Sequence, residues 1–182
     1  MTLASLLPLI ILGLIVVVLA LFVRRASRAL ARVRAVAAFE RETVALSSRV
    51  GSIVDQFIVR MDAVRRRQVD VTEIRGELAL VHGEVASGRE AIDAWGTPAG
   101  FGDVRAALTE DLDRLARALE MIDFGVELNV IGDRRQRELE SQTAAKRGYL
   151  ALKHSRDSFA EHVAAVSELA DRSARGWRVS RM

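Results

Sequence analysis

Apolar and polar positions alternate along this chain in five successive patterns. The first, residues 3–23 (LASLLPLIILGLIVVVLALFV), is apolar on every helical face and carries no charge until Arg24 and Arg25. About twenty such residues cross the hydrocarbon core as a helix, so the stretch predicts an uncleaved single-pass span, a signal anchor. A cleaved signal peptide needs a basic start and a small-residue cleavage site. Met1 to Leu7 has no basic side chain, and Phe22-Val23-Arg24-Arg25 is a poor cleavage site. A helix of a globular core is seldom apolar all round. The span holds no ionisable group, which suits an anchor better than a transport path. Gly13 is its only glycine and Val17 stands four residues on, so no GxxxG face is present.

From Arg24 to Gln68 there is one Gly and no Pro, with Leu46, Val50, Ile53, Phe57, Met61 and Val64 at spacings of three and four. This predicts one helix leaving the bilayer for about 45 more residues, or ~67 Å at 1.5 Å each. Asp70-Val71-Thr72-Glu73 is a start signal, in which Asp70 would cap and Glu73 complete a capping box. The stripe Val71, Ile74, Leu78, Val81, Val85, Gly88, Ile92 and Trp95 then reads as an a/d seam. Gly76, Gly83 and Gly88 weaken that helix by up to ~1 kcal/mol each, and are expected to admit a neighbouring helix at close range.

Residues 96–102 (GTPAGFG) form the clear loop. They lack the GK[ST] of a phosphate loop and follow no strand, so a turn between antiparallel helices is expected, with Phe101 folded onto their ends. Asp103 is the expected cap of a helix with the stripe Val104, Leu108, Leu112, Leu115, Leu119, Ile122 and Val126. Gly132-Asp133 reads as a C′ glycine followed by a new cap, with Gln136 in a second box. The last helix carries Tyr149, Leu152, Phe159, Val163, Val166 and Ala170 on one face and is expected to end near Gly176.

The fold class is therefore all-α. A transmembrane helix (1–23) continues into an antiparallel bundle of about four long helices with coiled-coil-like seams. Its parts are a basic first helix (24–68), a hairpin (69–132), a long last helix (133–176) and a basic tail (177–182). Counted by residue, the helices run roughly 67 Å out, 37 Å back, 43 Å out and 65 Å back. The last helix should thus return to the bilayer. That places Arg24, Arg25 and Arg28 with Trp177, Arg178 and Arg181 at the membrane interface, the composition of a headgroup boundary. The same arithmetic brings Arg65, Arg66 and Arg67 toward Arg134, Arg135 and Arg137 at the far tip, a candidate partner-binding surface.

Charge sharpens the picture. Segments 24–68, 69–95, 96–132 and 133–182 carry net +7, −4, −4 and +4. Basic outer and acidic middle segments suit each other as packed neighbours, although exposed pairs add little energy. Arg24, Arg25, Arg28, Arg32 and Arg34 follow the span while only Met1 and Thr2 precede it. The basic side stays cytoplasmic, so the N-terminus is expected outside a plasma membrane and the body inside.

Chemistry is sparse. The chain has no Cys, and His82, His154 and His162 lie in no Glu-x-x-His or His-Glu-x-x-His pattern. His154 and His162, eight residues apart, read as surface groups. The carboxylate pairs Asp111/Asp113 and Glu138/Glu140 are i,i+2 neighbours, which do not face each other on a helix. No catalysis, cofactor or metal is expected. The expected role is a membrane-anchored scaffold or recruitment module, with the lipid bilayer and an unidentified protein as partners. Nucleic acid is disfavoured, because the arginines lack interleaved aromatics. The alternative is a subunit of a larger membrane or envelope complex, a homo-oligomer joined through its seams.

Overall fold

Nothing after Pro8 interrupts the first helical pattern until the arginines at 65–67, and α1 (Leu3–Arg65) runs through it unbroken. A 3₁₀ turn (Val71–Ile74), α2 (Arg75–Ala94), α3 (Gly102–Val130) and α4 (Gln136–Val179) follow. The computed structural model describes the backbone of residues 3–130 and 136–179, and the side chains of 12–70, 73–128 and 139–175. Each helix packs on its neighbours in the order α1, α2, α3, α4 and back to α1, and among the described residues no backbones approach closely across a diagonal. The chain is an all-α, up-and-down four-helix bundle.

The seams meet inside this one chain. Phe39, Leu46, Val50, Val54, Phe57 and Met61 of α1 are buried, as are Leu78, Val81, Val85 and Ile92 of α2. Every residue of the α3 stripe is buried, and so are Tyr149, Leu152, Phe159, Val166 and Ala170 of α4. Thr43 interrupts the apolar line of α1 and is fully buried, but its Oγ1 donates to the Phe39 carbonyl at 2.8 Å, so its hydroxyl is not stranded. The 96–101 loop closes the end of the core from which the N-terminal part of α1 projects. Trp95 and Phe101 pack edge-on to Phe39, with centroids 5.9 and 5.6 Å away.

Helix ends depart from expectation in instructive ways. α1 stops at Arg65, short of Gln68, in a Schellman turn: the Gln68 amide donates to the Ala63 carbonyl and the Arg67 amide to Val64, each at 2.9 Å. Arg67 occupies the left-handed position, φ 58°, where glycine is usual. α2 opens a turn later than the Asp70–Glu73 start signal. The 3₁₀ turn intervenes, with the Glu73 amide donating to the Asp70 carbonyl at 3.1 Å, and Ile74 stands at the N-cap without a side-chain cap bond. The reason is burial, since Ile74 is fully enclosed and its packing fixes the turn. α3 begins at Gly102, which puts Asp103 inside the first turn, where a carboxylate still favours the helix dipole. α4 continues past Gly176 to Val179. The expected caps at Asp133 lie outside the described residues.

The close helix approach falls only in part where the sequence suggested. Gly76 and Gly83 have open space around an added Cβ, whereas Gly88 is buried against the side-chain ends of Leu46, Val50 and Leu112. The tight seam is α3–α4, where a Cβ on Gly125 would stand 2.9 Å from the Ala145 amide nitrogen. There Ser141 Oγ donates to the Gly125 carbonyl at 2.6 Å. The α1–α2 charge match does form, as Arg60–Glu77 at 3.0 Å and Arg49–Glu84 at 3.5 Å. Arg89–Asp113 joins α2 to α3 at 2.8 Å.

Among the described residues no helix is long and apolar enough to cross a membrane. The apolar run contributes the side chains of residues 12–23 to that set, and all of them are exposed. Residues 24–35 are exposed as well apart from Ala29, so α1 is bare until Val36 and Phe39 engage the bundle.

Candidate functional site

Three places hold the groups that could act on a partner or substrate. The first is the bare length of α1 below the bundle. Arg25, Arg28 and Arg32 are spaced by three and four, and the same spacing runs on through Val36, Phe39, Thr43 and Leu46. The core-facing line of α1 therefore switches from apolar to arginine below Val36. Arg24, Arg25, Arg28, Arg32 and Arg34 are exposed and have no ion-pair partner among the described residues, and Glu40 is the first acid of the chain. On α4 the contacts of Asp62 with Tyr149 and Asp55 with Arg156 set an antiparallel register. Continuing it puts residue 177 level with residue 34, ~15 Å along the axis from Arg24. The side chains of Trp177 and Arg178, and all of Arg181, lie outside the described residues.

The second place is the far tip. Arg65, Arg66 and Arg67 are exposed there. Arg65 is engaged, bonded to Asp62 at 3.1 Å and set over the Tyr149 ring at 5.0 Å. Tyr149 Oη donates to Asp62 Oδ1 at 2.9 Å. Burial, and then this bond to a carboxylate, raise the phenol pKa above its ordinary 10.0. A cleft of about 740 Å³ opens beside them, lined by Met61, Val64, Arg65, Arg67, Lys146 and Tyr149 among others. Arg134 and Arg135 lie outside the described residues, as does the side chain of Arg137. The register sets Arg65 level with residue 146, so the Arg137 backbone stands ~13 Å farther along the axis.

The third place is a polar cluster inside the bundle. Asp111 is fully buried between α3 and α4. Ser158 Oγ donates to its Oδ1 at 2.8 Å, and His162 Nδ1 lies 2.5 Å from its Oδ2. Arg114 approaches from the same helix at 3.7 Å. His162 is thus half-buried on a carboxylate and is not the free surface group expected, whereas His154 is exposed. The signal was present: Asp111 falls between Leu108 and Leu115 on the apolar line, and His162 between Phe159 and Val166. A serine nucleophile requires its Oγ to donate to an imidazole nitrogen. Here Ser158 Oγ donates to Asp111 and not to His162, and the shared carboxylate ties α3 to α4.

A fourth contact supports the same frame. Arg156 holds Asp55 with two bonds of 2.7 and 2.8 Å, linking α4 to α1. Hydrogen bonding to Asp55, and then to Asp157, drives the Arg156 pKa still higher than usual. Among the described residues no group of three or more metal-ligating side chains converges. Comparison with protein-family models, with curated proteins and with solved structures finds no match.

Proposed function

We propose that this chain is a single-pass, membrane-anchored helical bundle serving as a scaffold or recruitment module, its N-terminus outside the plasma membrane and its body cytoplasmic. The observation that supports the anchor most is exposure. From Leu12 to Val23 the large side chains are between 50% and 71% exposed on every face of α1, with none engaged by the bundle. An apolar surface of that extent needs an apolar surrounding, and a helix satisfies its own backbone there. The uncharged run back to Leu3 supplies the length, and the unpaired arginines at 24–34 supply the orientation.

The recruiting role rests on two features. The continuous α1 holds the bundle at a fixed height above the anchor. The seams are saturated within the chain, Leu115 for example being fully buried, so partners would meet the outer faces. The same saturation weighs against assembly through the seams.

Two measurements test this reading. Membranes from expressing cells are washed with alkaline carbonate, and release of the protein would refute the anchor. Because the chain lacks Cys, a single Ser173→Cys at an exposed position of α4 can then be labelled with an impermeant maleimide. Labelling only after permeabilisation is the expected result; labelling of intact cells overturns the orientation.

A further inference from the structure

The tight α3–α4 seam leaves a groove on the outer side of the bundle, and its lining differs from the rest of the surface. Phe39, Phe57, Phe101 and Phe159 are all buried to 2% or less, yet Phe124 is 57% exposed there. Met121, one turn earlier, is exposed beside it at 37%. Ala144 and Ala151 of α4 form the opposite wall of this space of about 680 Å³. A bundle that encloses those four phenylalanines and leaves Phe124 on an outer groove carries a mark of an interaction surface.

The rim sets the chemistry of the occupant. Arg114, Arg117 and Arg147 line it against one carboxylate, Glu120. Glu110 bonds Arg114 and Arg117 from outside the groove, at 3.1 and 3.2 Å. Arg147 is exposed and has no ion pair among the described residues. His154 lies at the far end. From Arg114 to Phe124 the groove follows the helices for ~15 Å, about three turns. We propose that this groove docks an acidic amphipathic helix of a partner protein, whose apolar ridge seats between Phe124 and the alanines while carboxylates reach Arg117 and Arg147. Aromatic and arginine anchors are the residues that carry such interfaces, and helix-in-groove docking is their common geometry. A second copy fits poorly, because a two-fold pairing of groove on groove would set the same basic rim against itself.

This inference rests on the recruitment reading and deepens it by naming the face and the partner's chemistry; it is independent of membrane side. The test uses the full chain in nanodiscs of neutral lipid and three fluorescent synthetic helical peptides. The peptides share one leucine stripe and carry Glu, Gln or Lys flanks. Anisotropy should show binding of the Glu peptide, about tenfold weaker binding of the Gln peptide and none of the Lys peptide. Phe124→Ser should weaken the Glu peptide about tenfold, the loss of one anchor, without altering the melting curve. The double variant Arg117→Glu, Arg147→Glu should reverse the preference toward the Lys peptide. Failure of all three peptides to bind overturns the proposal, as does binding indifferent to Phe124→Ser but lost in Arg66→Gln, Arg67→Gln. Concentration-dependent self-association abolished by Phe124→Ser would assign the groove to a second copy and likewise overturn it. Carbonate release in the membrane test would refute the anchor alone, and groove binding measured in detergent would still stand.

Discussion

A Cβ added to Gly148 would stand 2.8 Å from the carbonyl oxygen of Ala118, closer than carbon and oxygen tolerate. The backbones of α3 and α4 touch at this point: beside Ile122 Cγ1, the Ala118 carbonyl and the Ile122 amide nitrogen crowd the added Cβ, and main-chain atoms cannot swing aside. Gly148→Ala should therefore cost about 2–3 kcal/mol through overpacking, although alanine is the better helix former. Gly76→Ala and Gly83→Ala meet open space and should each stabilise by about 0.5–1 kcal/mol. Thermal unfolding of the three variants followed by circular dichroism separates the two signs. Equal effects of one sign would mean that α3 and α4 do not touch as described.

Arg67 pays for its left-handed backbone. An L-residue in that region costs roughly 1–2 kcal/mol, while the Schellman bonds to Ala63 and Val64 are backbone bonds that any residue can make. Arg67→Gly should accordingly raise stability by about 1 kcal/mol, less what glycine adds to the freedom of the unfolded chain. Chemical denaturation of the variant against the parent checks this. A loss of stability would show that the Arg67 side chain, which lines the tip cleft, contributes more than its backbone costs.

Seam periodicity made most of the bundle legible in advance: the α3 line from Val104 to Val126 is buried as read, and Trp95 and Phe101 close the loop end. What escaped was anything set by pairs of helices. Gly125 and Gly148 look like helix weaknesses until Ala118 and Ala145 arrive opposite them. Gly76 and Gly83 look like contact points, and their α2 faces meet nothing. Asp111 reads as an i,i+2 neighbour of Asp113 and His162 as a surface group, yet each occupies a seam position, and the two meet across facing helices. Arg65 reads in sequence as part of the tip cluster, and only the α1–α4 register reveals Tyr149 beneath it.

Tyr149 gives the bundle an alkaline limit. Its folded pKa is raised above 10.0 by burial and by the bond to Asp62, so the folded state holds the proton more tightly than the unfolded chain. The contribution is complete below pH 10.0 and is lost as pH rises through the folded value. Tyr149→Phe keeps the buried ring and removes the titration. Melting temperatures measured at intervals from neutral pH to above pH 10.0 should fall more steeply for the parent than for the variant. At neutral pH the variant should be about 1 kcal/mol less stable for want of the hydrogen bond. Parallel curves above pH 10.0 would show that the phenol is not held by Asp62.

The Asp111 cluster predicts a non-additive pattern. Removing a buried carboxylate leaves Ser158 and His162 facing an emptied polar site, and Asp111→Ala should cost about 3 kcal/mol. His162→Ala should cost less, about 1–2 kcal/mol, because His162 is half-buried and Ser158 still bonds the carboxylate. In a double-mutant cycle the two should couple by about 1 kcal/mol or more, as contacting residues of one network do. The triple variant Asp111→Val, Ser158→Ala, His162→Leu should recover to within about 1 kcal/mol of the parent, since apolar packing replaces a satisfied polar site at little net cost. If the triple variant unfolds with Asp111→Ala, the cluster is needed for its polarity, and the reading of it as a passive tie between α3 and α4 fails.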